Sequence, residues 1–243
     1  MLKKTIFASV ALLAFSFAVT AFTSDGTSVS PKKNTVVDSA EIWTEVNPMD
    51  VLYDSLQLGA LRLNREAYLF ALKGYNKLKK DGKLKNTDLL TIVDFSQAST
   101  NKRMYIIDLK KRKLVEQSLV AHGRNTGQLM ATNFSNVAES FQSSLGFYVT
   151  SETYQGKHGL SLRLDGMEKQ INDNARDRAI VIHGADYATE GFCKSTGYLG
   201  RSYGCPAIPQ NVSKSIINTI RNGSCLFIYS PNQQYVKKSA LLA

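Results

Sequence analysis

The 243-residue chain is poor in the side chains that metal and nucleophile chemistry draws on, with three histidines and three cysteines. It contains no HExxH stretch and no closely spaced cysteine pair. A zinc hydrolase built from His183, Asp186 and a cysteine is therefore a weak reading, and no metal is expected. Three cysteines do not make the framework of a disulfide-stapled domain of this size, and one is always left over. The first cysteine is Cys193, which excludes a lipid-modified cysteine near the N-terminus. Past Phe22 no segment approaches the ~18 uninterrupted apolar residues of a membrane-spanning helix. The chain also lacks internal repeats and low-complexity tracts.

What is present begins with an address. The stretch MLKKTIFASVALLAFSFAVTAFTSD has two lysines, an apolar run from Ile6 to Phe22, and small residues at Val19 and Ala21. That is the order of a secretory signal peptide, expected to span 1–21, with a retained anchor as the runner-up. Residues 22–46 are rich in Ser, Thr, Lys and Asn and read as a linker. The formal charge is +10 and falls to +8 once Lys3 and Lys4 are removed. Nucleic acid is the habitual partner for such a balance, but export and the scatter of the basic residues argue against it. An anionic polymer of the cell envelope suits an exported basic protein better, in the periplasm or elsewhere in the envelope.

The remaining chain is long enough for one large domain. Asn47-Pro48 opens a helix that stops at Gly59. A second helix begins near Asn64, carries Tyr68, Ala71, Leu72, Tyr75 and Leu78 at three- and four-residue spacing, and stops at Gly82. From about residue 89 the period shortens. TIVDF, RMYIIDL and KLVEQSLVA read as a strand and a hairpin turning at LKKRK, and LGFYVTSETY, GLSLRL, RAIVIHG and CLFIYS continue the β pattern. One late helix presents Val212, Ile216, Ile217 and Ile220 on a single face and ends at Gly223. The fold class is mainly β with a short α-helical N-terminal part, α+β overall: a helical segment 47–85, then a β-rich domain 86–232.

Cys225, inside SCLFIYS, reads as a buried strand residue. Cys205 does not, because LGRSYGCPAIP (199–209) displays it at a turn between Gly204 and Pro206. Cys193, twelve residues upstream, is a candidate disulfide partner; without that bond Cys205 is a free thiol needing a functional reason. His183 ends the β-branched run of RAIVIHGADY, 22 residues before Cys205, a separation that crosses a loop and returns to the same end of a sheet. Imidazole beside thiol supports a cysteine nucleophile for acyl transfer. Gly204 permits a sharp turn. Pro206 has no N–H, so an oxyanion hole must draw on the backbone N–H groups of Cys205, Gly204 or Tyr203. Arg201 is a candidate carboxylate ligand, with Ser202 beside it. His158 in GKHGLSLRL and His122 in AHGRNTG are further candidates to line the cleft, because each sits beside a glycine near a strand end.

These residues carry a resemblance. His183-Gly184 followed by Ser202, Gly204 and Cys205 resembles the signature of the YkuD-type L,D-transpeptidases of bacterial cell-wall synthesis. AHGRNTG, ATNFSN, SSLGFY, KHGLSLRLDG, RAIVIHGADY and GRSYGCPA are similar to the murein L,D-transpeptidase catalytic-domain branch, over approximately residues 65–230. The resemblance implies a β-sandwich or barrel, a thioester mechanism and no metal or organic cofactor. Cys205 would attack the carbonyl of the third, L-configured residue of a peptidoglycan stem peptide. His183 would act as base, oriented by the Gly184 carbonyl, and an acceptor amine would take the acyl group. With water as acceptor the activity is that of an L,D-carboxypeptidase. By the same resemblance Ser144 and Gly146 approach the substrate. Two positions depart from the wider motif: Tyr203 replaces a histidine, and Pro206-Ala207 replaces an apolar–Arg/Asn pair. A cysteine peptidase and a non-catalytic wall-binding protein are the readings from other classes.

Overall fold

The computed structural model describes residues 48–243, which belong to one compact unit. The expected signal peptide and linker lie outside the described residues. Helix α1 covers Pro48–Ser55 and α2 Arg65–Lys80. The Asn64 side chain caps α2 by accepting from the N–H groups of Glu66 and Ala67, a satisfaction of otherwise orphaned donors that fixes where the helix begins. Ala67, Tyr68, Ala71, Leu72, Gly74, Tyr75 and Leu78 are its buried face.

Eight strands follow in one mixed sheet: β1 Leu89–Asp94, β2 Met104–Asp108, β3 Lys113–Ser118, β4 Gly146–Gly156, β5 Gly159–Gly166, β6 Val181–Ala185, β7 Ala207–Pro209 and β8 Cys225–Tyr229. Their spatial order is β3-β2-β1-β8-β4-β5-β6-β7. The β1–β8 and β6–β7 pairs are parallel, and the others antiparallel. Past β3 the chain reaches the opposite edge, where Ala121 bridges Ala207 and Gly123 bridges Ser202. The sheet thus nearly closes on itself, and this closure covers edges that would otherwise be left unpaired.

Helix α4 (Gln210–Ile220) buries Ile216, Ile217 and Ile220 in the same apolar core that takes the α2 stripe and all five residues of β8. Two short helices were not legible beforehand, α3 (Glu190–Thr196) and α5 (Gln233–Lys238). Helix α5 follows the span expected for the β-rich domain and is tied back to it. Tyr235 and Ser239 both donate to the carboxyl of buried Glu168, which also accepts from the Phe147 N–H. No helix among the described residues is long and apolar enough to cross a membrane. All three cysteines are free, so Cys193 and Cys205 are not joined in this structure, and Cys225 is fully buried in β8.

Candidate active site

His183 lies mid-strand in β6, paired with Ser161 of β5 on one side and Ala207 of β7 on the other. It is buried, and its Nδ1–H donates to the Gly184 carbonyl at 2.9 Å. Because a carbonyl only accepts, this bond leaves Nε2 as the unprotonated ring nitrogen. Burial lowers the imidazole pKa from its ordinary value, the Gly184 bond opposes that, and His158 and Lys157 lower it further. Gly184 permits close packing: a Cβ there would stand 2.1 Å from Gln210 Oε1 and 2.8 Å from Ser213 Oγ, both on α4.

Cys205 sits two residues before Ala207, the β7 partner of His183, so the parallel β6–β7 pair brings thiol and imidazole to one cleft. The turn carrying it is braced from within. The Ser202 hydroxyl donates to the Cys205 carbonyl at 2.6 Å and accepts from the Gly204 N–H at 3.0 Å. The Ser143 hydroxyl donates to the Gly204 carbonyl at 3.1 Å. Gly204 has φ +125°, a conformation that favours glycine, and a Cβ there would lie 2.8 Å from the Gln142 carbonyl oxygen. The half-buried Cys205 Sγ lies 3.7 Å from the Ala179 carbonyl oxygen. Burial pushes the thiol pKa up, while the Val181 N–H and the charge of Arg178 pull it down. These two directions favour a neutral thiol and a neutral imidazole.

The cleft has a volume of about 700 Å³. Of the residues singled out from the sequence, Cys205, His183, His158, Arg201, Ser202 and Tyr203 line it. The His158 ring stacks on His183 with centroids 4.5 Å apart. Tyr203 is 63% exposed at the rim, where its ring lies 5.0 Å from that of Phe141.

Five of the candidate residues make contacts within the fold. His122 does not line the cleft: it is fully buried, accepting at Nδ1 from Arg103 Nη2 (2.8 Å) and donating from Nε2 to the Gly127 carbonyl (3.1 Å). Both of its ring nitrogens are thus spent on structure. The Gly204 N–H is held by the Ser202 hydroxyl, and through that bond Ser202, which also lines the cleft, braces the turn. That leaves the N–H groups of Tyr203 and Cys205, neither of which meets an acceptor among the described residues. Ser144 and Gly146 also stand back from the cleft. Ser144 accepts from Arg178 Nη1 at 2.6 Å, and a Cβ on Gly146 would meet the Glu168 carboxyl at 2.2 Å.

Arg124, Lys157 and Arg178 line the cleft but were missed. Arg178 opens RAIVIHG and reads there as a strand flank. Its nearness to Cys205 depends on the 135–144 loop, whose acceptors hold its guanidinium: the Ser135 carbonyl at 2.8 Å, the Gln142 carbonyl at 2.7 Å and the Ser144 hydroxyl. No group of three or more potential metal ligands occurs among the described residues.

A thiol and an imidazole in one cleft, beside two unpartnered backbone N–H groups, have the parts of acyl transfer through cysteine. A family model described as L,D-transpeptidase catalytic domain matches residues 60–229, and the chain belongs to that family. Similar solved structures include an L,D-transpeptidase from Mycobacterium smegmatis (10% identity, 59% of each chain covered, TM-score 0.38). Another is L,D-transpeptidase 3 from Mycobacterium tuberculosis (9% identity, 59% of this chain and 61% of that one, TM-score 0.38). A third is the helical cell shape determining protein Pgp2 from Campylobacter jejuni (11% identity, 60% and 48% covered, TM-score 0.39). The chain spans about three-fifths of the first of these, and likenesses this distant carry no weight for substrate or partner. No curated protein matches the chain by sequence.

Proposed function

We propose that the protein is an exported L,D-transpeptidase acting on peptidoglycan stem peptides in the cell envelope. The observation that carries the reading is the β6–β7 pairing, which opens Cys205 and His183 into one cleft with Nδ1 of His183 held by the Gly184 carbonyl. Export rests on the charged, apolar, small-residue order of residues 1–21.

In this reading the unprotonated Nε2 of His183 takes the thiol proton as Cys205 Sγ attacks the carbonyl of the third stem residue. The Tyr203 and Cys205 N–H groups stabilise the oxyanion. The tetrahedral intermediate collapses to a thioester. The C–N bond to the terminal D-residue breaks, and the imidazolium returns its proton to the leaving amine. An acceptor amine then attacks the thioester, loses its proton to His183, and the thiolate departs and is reprotonated.

The test is turnover of tetrapeptide-bearing peptidoglycan fragments, with products separated by mass. Wild-type protein should release the terminal residue and form a cross-linked dimer. His183→Gln should lose about 10³-fold or more in rate, the scale of removing a general base together with its nucleophile activation. Full turnover by His183→Gln would refute its role, and hydrolysis without dimer would assign water as acceptor.

A further inference from the structure

The cleft around Cys205 holds four cations, Arg124, Lys157, Arg178 and Arg201, and no Asp or Glu lines it. None of the four forms an ion pair with the described residues, whereas Arg65, Lys102, Arg163 and Arg176 elsewhere on the surface each do. Three of the four are held by neutral groups. Arg124 packs its guanidinium 4.2 Å from the Phe141 ring centroid and 4.9 Å from that of Tyr203. Arg201 donates from Nη1 to the carbonyls of Arg124 and Gly127, each at 3.3 Å, and lies 5.3 Å from the Tyr198 ring. Arg178 is bound by the 135–144 loop. Carbonyls and rings orient a guanidinium without cancelling its charge. Lys157 stands at the exposed turn between β4 and β5, beside the histidine that stacks on His183.

Like charges gathered in one concavity repel, and a cleft with no internal counter-charge is suited to a ligand that brings several. The terminal carboxylate of a stem peptide supplies one, and the cations come from separate segments: the loop after β3, the β4–β5 turn, the residue leading into β6, and the cysteine turn. Resting on the transpeptidase reading above, we propose that the cleft selects acyl donors by their side-chain carboxylates. One free carboxylate at the C-terminus is held by Arg201, and at least one on a side chain is held by Arg124 or Lys157. Arg178, whose hydrogen bonds are taken up by the loop, supplies field rather than contact.

The experiment compares two synthetic tetrapeptide donors that differ only in whether their side-chain carboxylates are free or carboxamides. Binding is measured by calorimetry on Cys205→Ala protein, and thioester formation by mass on protein with the thiol. The free-acid donor should bind at least tenfold more tightly at low salt, with the ratio shrinking as salt rises. Arg124→Gln and Lys157→Gln are at exposed positions, so the fold should tolerate them, and together they should bring the ratio to within about threefold. Equal binding and equal acylation of both donors by the parent protein would overturn the selection and leave the transpeptidase reading standing. Absence of a thioester with either donor would overturn that reading and this proposal with it.

Discussion

Replacing Ser202 by alanine separates a brace from a substrate ligand. The hydroxyl donates to the Cys205 carbonyl at 2.6 Å and accepts from the Gly204 N–H at 3.0 Å, so Ser202→Ala deprives two main-chain groups at once. A buried group left unpaired costs about 1–3 kcal/mol. Gly204 is buried and Cys205 only half so, so water rescues part of the loss and a total of about 3 kcal/mol is expected. For a unit of this size that lowers Tm by about 6–12 °C, read by calorimetry. The turn also aims the thiol. A misplacement near 1 Å costs about 10²-fold in rate, so kcat should fall by about 10–100-fold while KM changes little. The reasoning is refuted if Tm stays within a degree and KM rises instead. That result would mean that the hydroxyl meets substrate and the turn holds without it.

Three more outcomes are expected. His122 is buried neutral with its pKa lowered to about 4, so the unfolded chain binds the extra proton between pH 6.5 and 4. Its contribution is intact above pH 6.5 and lost as pH falls, by about 3 kcal/mol in all; denaturant unfolding from pH 7 to 4 should show this loss, and His122→Gln should flatten it, whereas equal slopes would contradict the assignment. Gly74 faces Phe147 so closely that a Cβ would stand 2.1 Å from its ring. Gly74→Ala gains about 1 kcal/mol of helix propensity but incurs overpacking of about 1–3 kcal/mol; a net fall in Tm is expected, and a rise would show that the ring moves freely aside. The charge of Arg178 lowers the Cys205 thiol pKa against burial. Arg178→Met should shift the pH profile of Cys205 alkylation upward, and Arg178→Lys should restore much of it; superimposable profiles for all three would remove the electrostatic role.

Much of the frame could be read without coordinates because its signals are local. The α2 stripe, its Asn64 cap and the stop at Gly82 all lie within one helix, and the Ile216, Ile217 and Ile220 face of α4 is equally self-contained. Strand β7 was not legible. It is three residues between Pro206 and Gln210, and it exists because β6 pairs with one side and Ala121 with the other. The same distinction runs through the site. A thiol displayed between glycine and proline, and a histidine closing a β-branched run, are visible in two short stretches. The fate of the Gly204 N–H and the enclosure of His122 are not visible. The first depends on which way the Ser202 side chain turns, and the second on an arginine nineteen residues away. Arg178 went unnoticed because its lack of an acidic partner is a property of the folded 135–144 loop rather than of its own segment.

The most direct measurement is the intact mass of the protein, without residues 1–21, quenched during reaction with tetrapeptide-bearing peptidoglycan fragments and then mapped to the modified residue. An acyl adduct on Cys205, smaller than the donor by the terminal residue and absent from Cys205→Ala, is the expected result. Turnover that persists in Cys205→Ala, or reduced and folded protein that gives neither adduct nor product, would contradict the thioester account.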